Sequence, residues 1–259
     1  MSRAARLEAV RARVAVLEAG GAPARGVLSF GDVRLDGAFP AGGLPLGCWH
    51  AVGGEGLEIE TAAAPGAFAA ALAAPLAGRG AVVWVMRRGD LYAPGLAGLG
   101  FPADRLIQVQ VRDEAQALAA LEDALGAAGI AAAIGEVGSV DLTAGRRLQL
   151  ACERRGATGF VIHRRPFGAG TGAAAAAPGA AAATRWIVGA APSGPGFHAP
   201  GLGPPGLGPP RWRVELTRCR SGRPGAWILE KTDGAHPLRV VAELGDRQLE
   251  TPQPLRRAG

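Results

Sequence analysis

Leu35-Asp36, five intervening residues, then Gly42-Gly43-Leu44-Pro45-Leu46-Gly47-Cys48-Trp49-His50-Ala51-Val52-Gly53-Gly54-Glu55-Gly56 is the stretch that decides the fold. An apolar run that ends in glycines reads as a strand turning into a phosphate-binding loop. The loop that cradles nucleotide phosphates has the form G-x-x-x-x-G-K-[ST], with the lysine on the β/γ-phosphates. Here Gly53, Gly54 and Gly56 keep the glycines of such a loop. The residues that follow are Leu57, Glu58, Ile59, Glu60 and Thr61, so two carboxylates stand where a triphosphate needs positive charge. The chain's single lysine, Lys231, is far away in sequence, and arginine does not replace a phosphate-loop lysine geometrically. The shape of a nucleotide site is present without its chemistry.

Outward from this loop, apolar runs alternate with amphipathic stretches. Ala62 to Leu76 is predicted as a helix, with Phe68, Leu72 and Leu76 on one stripe and Pro65 in the first turn. Ala81–Met86 and Leu106–Val111 read as strands. Asp113 to Ala128 reads as a helix with acids at its N-terminus. Ile130–Val137 is a strand, Leu142–Arg155 a helix, and Thr158–His163 a strand. This alternation predicts an α/β fold, a mostly parallel sheet flanked by helices. Arg211–Arg218 and Ala226–Glu230 alternate polar and apolar residues around Ser221-Gly222-Arg223-Pro224-Gly225, which predicts a C-terminal β-hairpin. Leu238 to Leu244 adds a strand.

Four segments follow from this reading. Residues 1–22 form an N-terminal amphipathic helix, with Leu7, Val10, Val14 and Leu17 along one face. It packs on its own domain or docks on a partner. Residues 23–167 form the core. Residues 168–210 are Ala/Gly- and Gly/Pro-rich, predicted as flexible loops around a short strand at 184–188. Residues 211–259 form a β-rich segment with a frayed tail.

The 259 residues suffice for one large domain, and 48% hydrophobic residues suffice for its core. No apolar run reaches the roughly 18–20 residues that cross a bilayer. The N-terminus lacks the features of a secretory signal. Three widely spaced cysteines, Cys48, Cys152 and Cys219, fit a reducing compartment, so a cytoplasmic location is expected. They and the four scattered histidines form no zinc pattern, so no metal and no cofactor is expected. Ser139 lacks the surrounding pattern of a hydrolase nucleophile. Net charge is +6, nearly all from arginine, which a GC-rich coding bias also produces. Arg211, Arg213, Arg218 and Arg220 next to Trp212 and Trp227 either contact single-stranded DNA or form a solvated strand face.

The Leu35-Asp36 and Gly42-Gly43-Leu44-Pro45-Leu46-Gly47 pair resembles the lead-in to the phosphate loop of RecA ATPases. Further segments resemble the ImuA family, RecA-like and also labelled SulA-like. They are Trp84-Val85, Tyr92-Ala93-Pro94-Gly95-Leu96, Gly98-Leu99-Gly100 and Asp104-Arg105-Leu106. They continue with Leu142 to Ala151, Ala182 to Trp186 and Arg211 to Leu216. The resemblance covers about residues 1–230 and implies a RecA-like core. It also implies a place in SOS-induced, error-prone translesion synthesis, with ImuB and an error-prone C-family polymerase subunit as partners, and RecA or DNA as further ones.

The RecA catalytic residues do not carry over. Arg88 falls near the position of the catalytic glutamate, and Glu136 ends the third core strand as a candidate remnant of a magnesium-binding strand. The expectation is therefore a non-catalytic adaptor. The alternatives are a divergent DNA-dependent recombination ATPase and a SulA-like cell-division inhibitor.

Overall fold

Trp49–Gly54 (β3) is apolar because it lies at the centre of a sheet covered on both faces. The computed structural model describes residues 26–56, 63–164, 181–193, 208–233 and 236–244. The expected N-terminal helix with Leu7, Val10, Val14 and Leu17 lies outside these residues. So do Glu58 and Glu60, most of the two low-complexity tracts, and the tail.

The remaining strands are β1 (Val27–Leu28), β2 (Leu44–Pro45), β4 (Ala81–Met86), β5 (Leu106–Gln110), β6 (Ile130–Val137), β7 (Thr158–His163), β8 (Thr184–Ala191), β9 (Arg211–Cys219), β10 (Gly225–Lys231) and β11 (Leu238–Glu243). The helices are α1 (Val33–Asp36), α2 (Ala63–Ala73), α3 (Glu114–Gly126) and α4 (Leu142–Arg155). Nine strands form one sheet in the order β5-β4-β6-β7-β3-β8-β9-β10-β11. From β5 to β8 the neighbours run parallel. From β8 to β11 they run antiparallel. The expected α/β architecture with a mostly parallel sheet and flanking helices is the one observed. The C-terminal hairpin extends that same sheet.

Two apolar layers sandwich the sheet. On one face α2 packs against Trp84, Phe160, Trp186 and Trp212. Its sequence, Ala-Ala-Pro-Gly-Ala-Phe-Ala-Ala-Ala-Leu-Ala, is apolar all round because the helix is buried almost all round. Phe68 meets Trp186 and Trp212 at ring-centroid distances of 5.5 and 6.4 Å. This layer runs on across the hairpin through Val214, Leu216, Trp227, Leu229 and Leu238.

On the other face lie α3 and α4, over β4, β6, β7 and β3. Asp113 caps α3 by accepting from Gln116 N (2.8 Å), and Asp141 caps α4 by accepting from Ala144 N (2.7 Å). Trp49 reaches under α4 and donates its indole N–H to Gly145 O at 3.0 Å. No helix among the described residues is long and apolar enough to cross a membrane.

Candidate functional site

The lead-in motif is a scaffold that aims β3. Leu35 is fully buried. The Asp36 carboxylate accepts from Ser29 Oγ (2.8 Å), Phe30 N (2.9 Å) and Gly31 N (3.0 Å), which folds the preceding turn onto α1. β1 pairs with β2, so that Leu28 lies opposite Leu44. Gly42 and Gly47 adopt φ values of +71° and +67°, the left-handed region that glycine enters freely. Gly47 N then donates to Thr158 Oγ1 at 3.0 Å, tying the start of β3 to β7.

Where the sequence reading expects a phosphate loop, the chain leaves β3 through Gly53, Gly54, Glu55 and Gly56. Glu55 N donates to Val188 O at 3.0 Å, so the first residue past the strand still follows β8. The Glu55 carboxylate lies over Gly189 of β8, which has no Cβ to obstruct it, and pairs with Arg213 of β9. The loop thus begins with an acid held by the antiparallel extension. On the phosphate-loop expectation, that is negative charge where a nucleotide would need positive charge.

Glu136 lies at the end of β6, as the resemblance implies for a magnesium ligand, but its carboxylate is already engaged. Trp84 Nε1 donates to Oε1 at 2.8 Å, and Arg164 Nε lies 3.0 Å from Oε2. Arg164 also pairs with Asp90 at 2.5 Å. The acid is buried, and its two oxygens face an indole and a guanidinium. Removing one partner of a buried pair leaves the other uncompensated. Glu136→Ala is therefore expected to lower unfolding free energy by about 3 kcal/mol, and Glu136→Gln, which can still accept from Trp84, by about half of that. Urea titration of both variants checks the order; equal losses would contradict it.

The arginines that are close in sequence are separated in space. Arg211 pairs with Glu230 at 2.6 Å, and Glu230 also pairs with Arg239. Burial raises the Glu230 carboxyl, but hydrogen bonds from Arg211 and Arg239 outweigh it and hold the group below its usual value. Arg213 pairs with Glu55. Arg218 and Arg220 lie at the far end of β9, about 20 Å away at the rise of a strand. There they line a shallow cavity of about 460 Å³ with Cys219 and Ser221. Arg220 donates to Ala181 O at 3.2 Å, and Arg218 lies opposite Arg185 of β8. Trp212 and Trp227 are buried on the α2 face and offer no stacking platform beside these arginines. The four arginines do not form one basic patch.

His50 is a core residue. Its Nδ1 is 2.8 Å from Thr184 Oγ1 and its Nε2 is 3.0 Å from Pro45 O. Pro45 O can only accept, so the neutral ring carries its hydrogen on Nε2 and Nδ1 accepts from Thr184 Oγ1, whose oxygen also accepts from Trp186 Nε1 at 2.8 Å. Burial lowers the His50 imidazole to about 4, and burial with nearby Arg185 does the same to His163. Ser139 donates from N (2.8 Å) and Oγ (3.2 Å) to the Glu114 carboxylate, with no histidine in that set. No group of three or more His, Cys, Asp or Glu among the described residues could hold a metal.

The sequence reading missed both partners of Glu136 and the Glu55–Arg213 pair. Arg164 had a usable signal: it directly follows β7, the strand beside β6, and so stands at the same end of the sheet as Glu136.

No family model matches the chain. Protein ImuA of Caulobacter vibrioides strain NA1000 / CB15N is 56% identical over 252 residues, which span 94% of this chain and 100% of that protein. Protein ImuA of Caulobacter vibrioides strain ATCC 19089 / CIP 103742 / CB 15 matches to the same extent. With that identity across nearly its whole length, the chain belongs to the ImuA family.

Proposed function

We propose that the chain is a non-catalytic RecA-like adaptor in SOS-induced mutagenic translesion synthesis, acting by binding ImuB and an error-prone C-family polymerase subunit. The observation that carries this reading is the state of Glu136. Phosphoryl transfer requires a metal, a phosphate clamp and a positioned nucleophile together. Here the acid at the magnesium position is held by Trp84 and Arg164, and no lysine or hydroxyl follows the glycines directly. Glu55 adds an acid at the start of the loop. What remains is an α/β platform. Membership of the ImuA family supports the partner assignment, and the sequence spacing of Leu7, Val10, Val14 and Leu17 predicts a docking element.

Two measurements on the full chain test the proposal. ATP hydrolysis with and without single-stranded DNA is expected to stay at the no-protein background. Turnover stimulated by DNA and lost in Glu136→Gln would instead establish the divergent ATPase, the reading that Glu136's position at the end of β6 favours. Pull-down with ImuB is expected to retain the chain, and Leu7→Asp with Val14→Asp is expected to weaken retention while circular dichroism is unchanged. Failure of the full chain to bind ImuB would sink the adaptor reading.

A further inference from the structure

The two edges of the large sheet are treated differently. At β11, Arg34 of α1 donates to Val240 O at 3.0 Å, the ladder to β10 shifts register at Ile228/Leu229, and Arg239 and Glu243 place charges on the strand. These are the devices by which natural sheets blunt an edge. Among the described residues β5 carries none of these devices. The run Leu106-Ile107-Gln108-Val109-Gln110-Val111 has no charge, proline or glycine. Ile107 is 47% exposed. Among the described residues β5 pairs only with β4.

We propose that β5 is a self-association edge: two copies of this chain join antiparallel through β5, about a two-fold axis at Gln108, and merge their sheets into one. The parity of the strand carries the first part of the argument. Val111 N donates to Met86 O, so Ile107, Val109 and Val111 turn their backbone groups toward β4. In a parallel ladder the alternate residues then point the other way, which leaves the N–H and C=O of Leu106, Gln108 and Gln110 directed outward. A two-fold axis along the sheet normal at Gln108 sets Gln108 against Gln108 of the second copy and Leu106 against its Gln110. All three outward residues then form hydrogen-bonded pairs. Moving the axis to Ile107 or Val109 leaves one of the three unpaired.

The flanking charges choose the same register. With the axis at Gln108, Asp104 in the turn that enters β5 and Arg112 just past its end come side by side from opposite copies, and both residues are exposed. With the axis at Val109, Asp104 is carried instead toward Glu114 at the start of α3, a like-charge approach. With the axis at Ile107, Asp104 would meet only Gln110. On the neighbouring face Ile107 comes opposite Val109 in the closer, non-hydrogen-bonded kind of pair, where side chains touch. An edge that is uncharged along its length and self-complementary at its ends fits its own copy.

One strand pair is smaller than the roughly 1,200 Å² of stable assemblies, so association is expected to be weak, with a midpoint between about 1 and 100 µM. Sedimentation of the full chain across that range is expected to show monomer and dimer. Gln108→Pro removes an outward N–H and spares the ladder to β4; it is expected to weaken dimerisation at least about tenfold with the melting temperature preserved. Asp104→Arg and Arg112→Asp are each expected to weaken it about tenfold, and the two together to restore it. If Gln108→Pro does not fold, the charge-reversal set decides alone. Amide exchange supplies a second readout: Leu106, Gln108 and Gln110 are expected to gain protection with concentration, and Ile107, Val109 and Val111 to stay constant. A monomer throughout the range would overturn the proposal. So would a dimer indifferent to Gln108→Pro, or a double charge reversal without rescue. Loss of the dimer in Leu7→Asp with Val14→Asp but not in Gln108→Pro would assign the contact to the N-terminal segment instead.

Discussion

Lowering the pH from 7.5 to 4.5 is expected to bring the protein to the edge of unfolding. His50 is fully buried, with both ring nitrogens occupied in the neutral state. Burial lowers its pKa from the ordinary 6.5 to about 4. The folded state therefore binds fewer protons than the unfolded chain at any pH between those values. Its contribution is fully present above about 6.5 and is lost as the pH falls toward 4. A displacement of that size corresponds to about 3 kcal/mol at the bottom of the window. His163, which burial also lowers to about 4, adds a loss in the same direction. Below that window Asp32 and Glu230 act in the same direction. Arg34 holds Asp32 low, and Arg211 and Arg239 hold Glu230 low against the opposing effect of burial, so protonating either acid destabilises the fold.

The sum is comparable to the roughly 5–15 kcal/mol of an ordinary domain. Urea midpoints measured at steps from pH 7.5 to 4.5 should therefore fall steadily. His50→Gln should start lower but fall less steeply, because the titrating group is gone. A flat wild-type profile over this range would show that His50 is not buried in the neutral form.

Much of this fold was legible in the sequence. Ile130–Val137, Leu142–Arg155 and Thr158–His163 are found at the predicted bounds because each is a full run of its own periodicity: continuous apolar residues for a doubly covered strand, spaced ones for a helix. β8 runs three residues beyond its predicted end at Val188. Gly189, Ala190 and Ala191 carry no strand signal of their own; they are extended because Arg213, Trp212 and Arg211 of β9 pair with them. α1 is a single turn around Leu35, too short to show a period. The candidate site was legible as a set of residue types and illegible as a set of contacts. Glu136 meets Trp84 and Arg164 only because β4 and β7 flank β6 in a particular register, and no single strand encodes that register. Arg211 and Arg218 read as one cluster in the sequence, yet an extended strand carries them to opposite ends of the sheet.

Gly42 and Gly43 are adjacent and identical, but substitution is expected to affect them very differently. Gly42 lies at φ +71° with open space where a Cβ would project. Its cost is conformational alone, about 1–2 kcal/mol for alanine and less for asparagine, which tolerates the left-handed region. At Gly43 a Cβ would stand 2.8 Å from Leu28 O, 3.1 Å from Leu28 C and 3.2 Å from Ser29 N. All three are backbone atoms, so no side chain can swing aside. Alanine there must push β1 away from β2, and with it the turn that Ser29, Phe30 and Gly31 make on the Asp36 carboxylate. Leu44, fully buried behind that contact, would lose packing as well. The expected cost of Gly43→Ala is about 3 kcal/mol or more, the range of steric and core defects. Thermal melts should rank the variants Gly42→Asn, Gly42→Ala, Gly43→Ala in order of increasing loss. Equal losses for Gly42→Ala and Gly43→Ala would mean that the close approach of β1 does not constrain this motif. The predicted gap would tie Gly43 in the Gly-Gly-Leu-Pro-x-Gly signature to backbone packing at the start of β3, a role independent of any bound nucleotide.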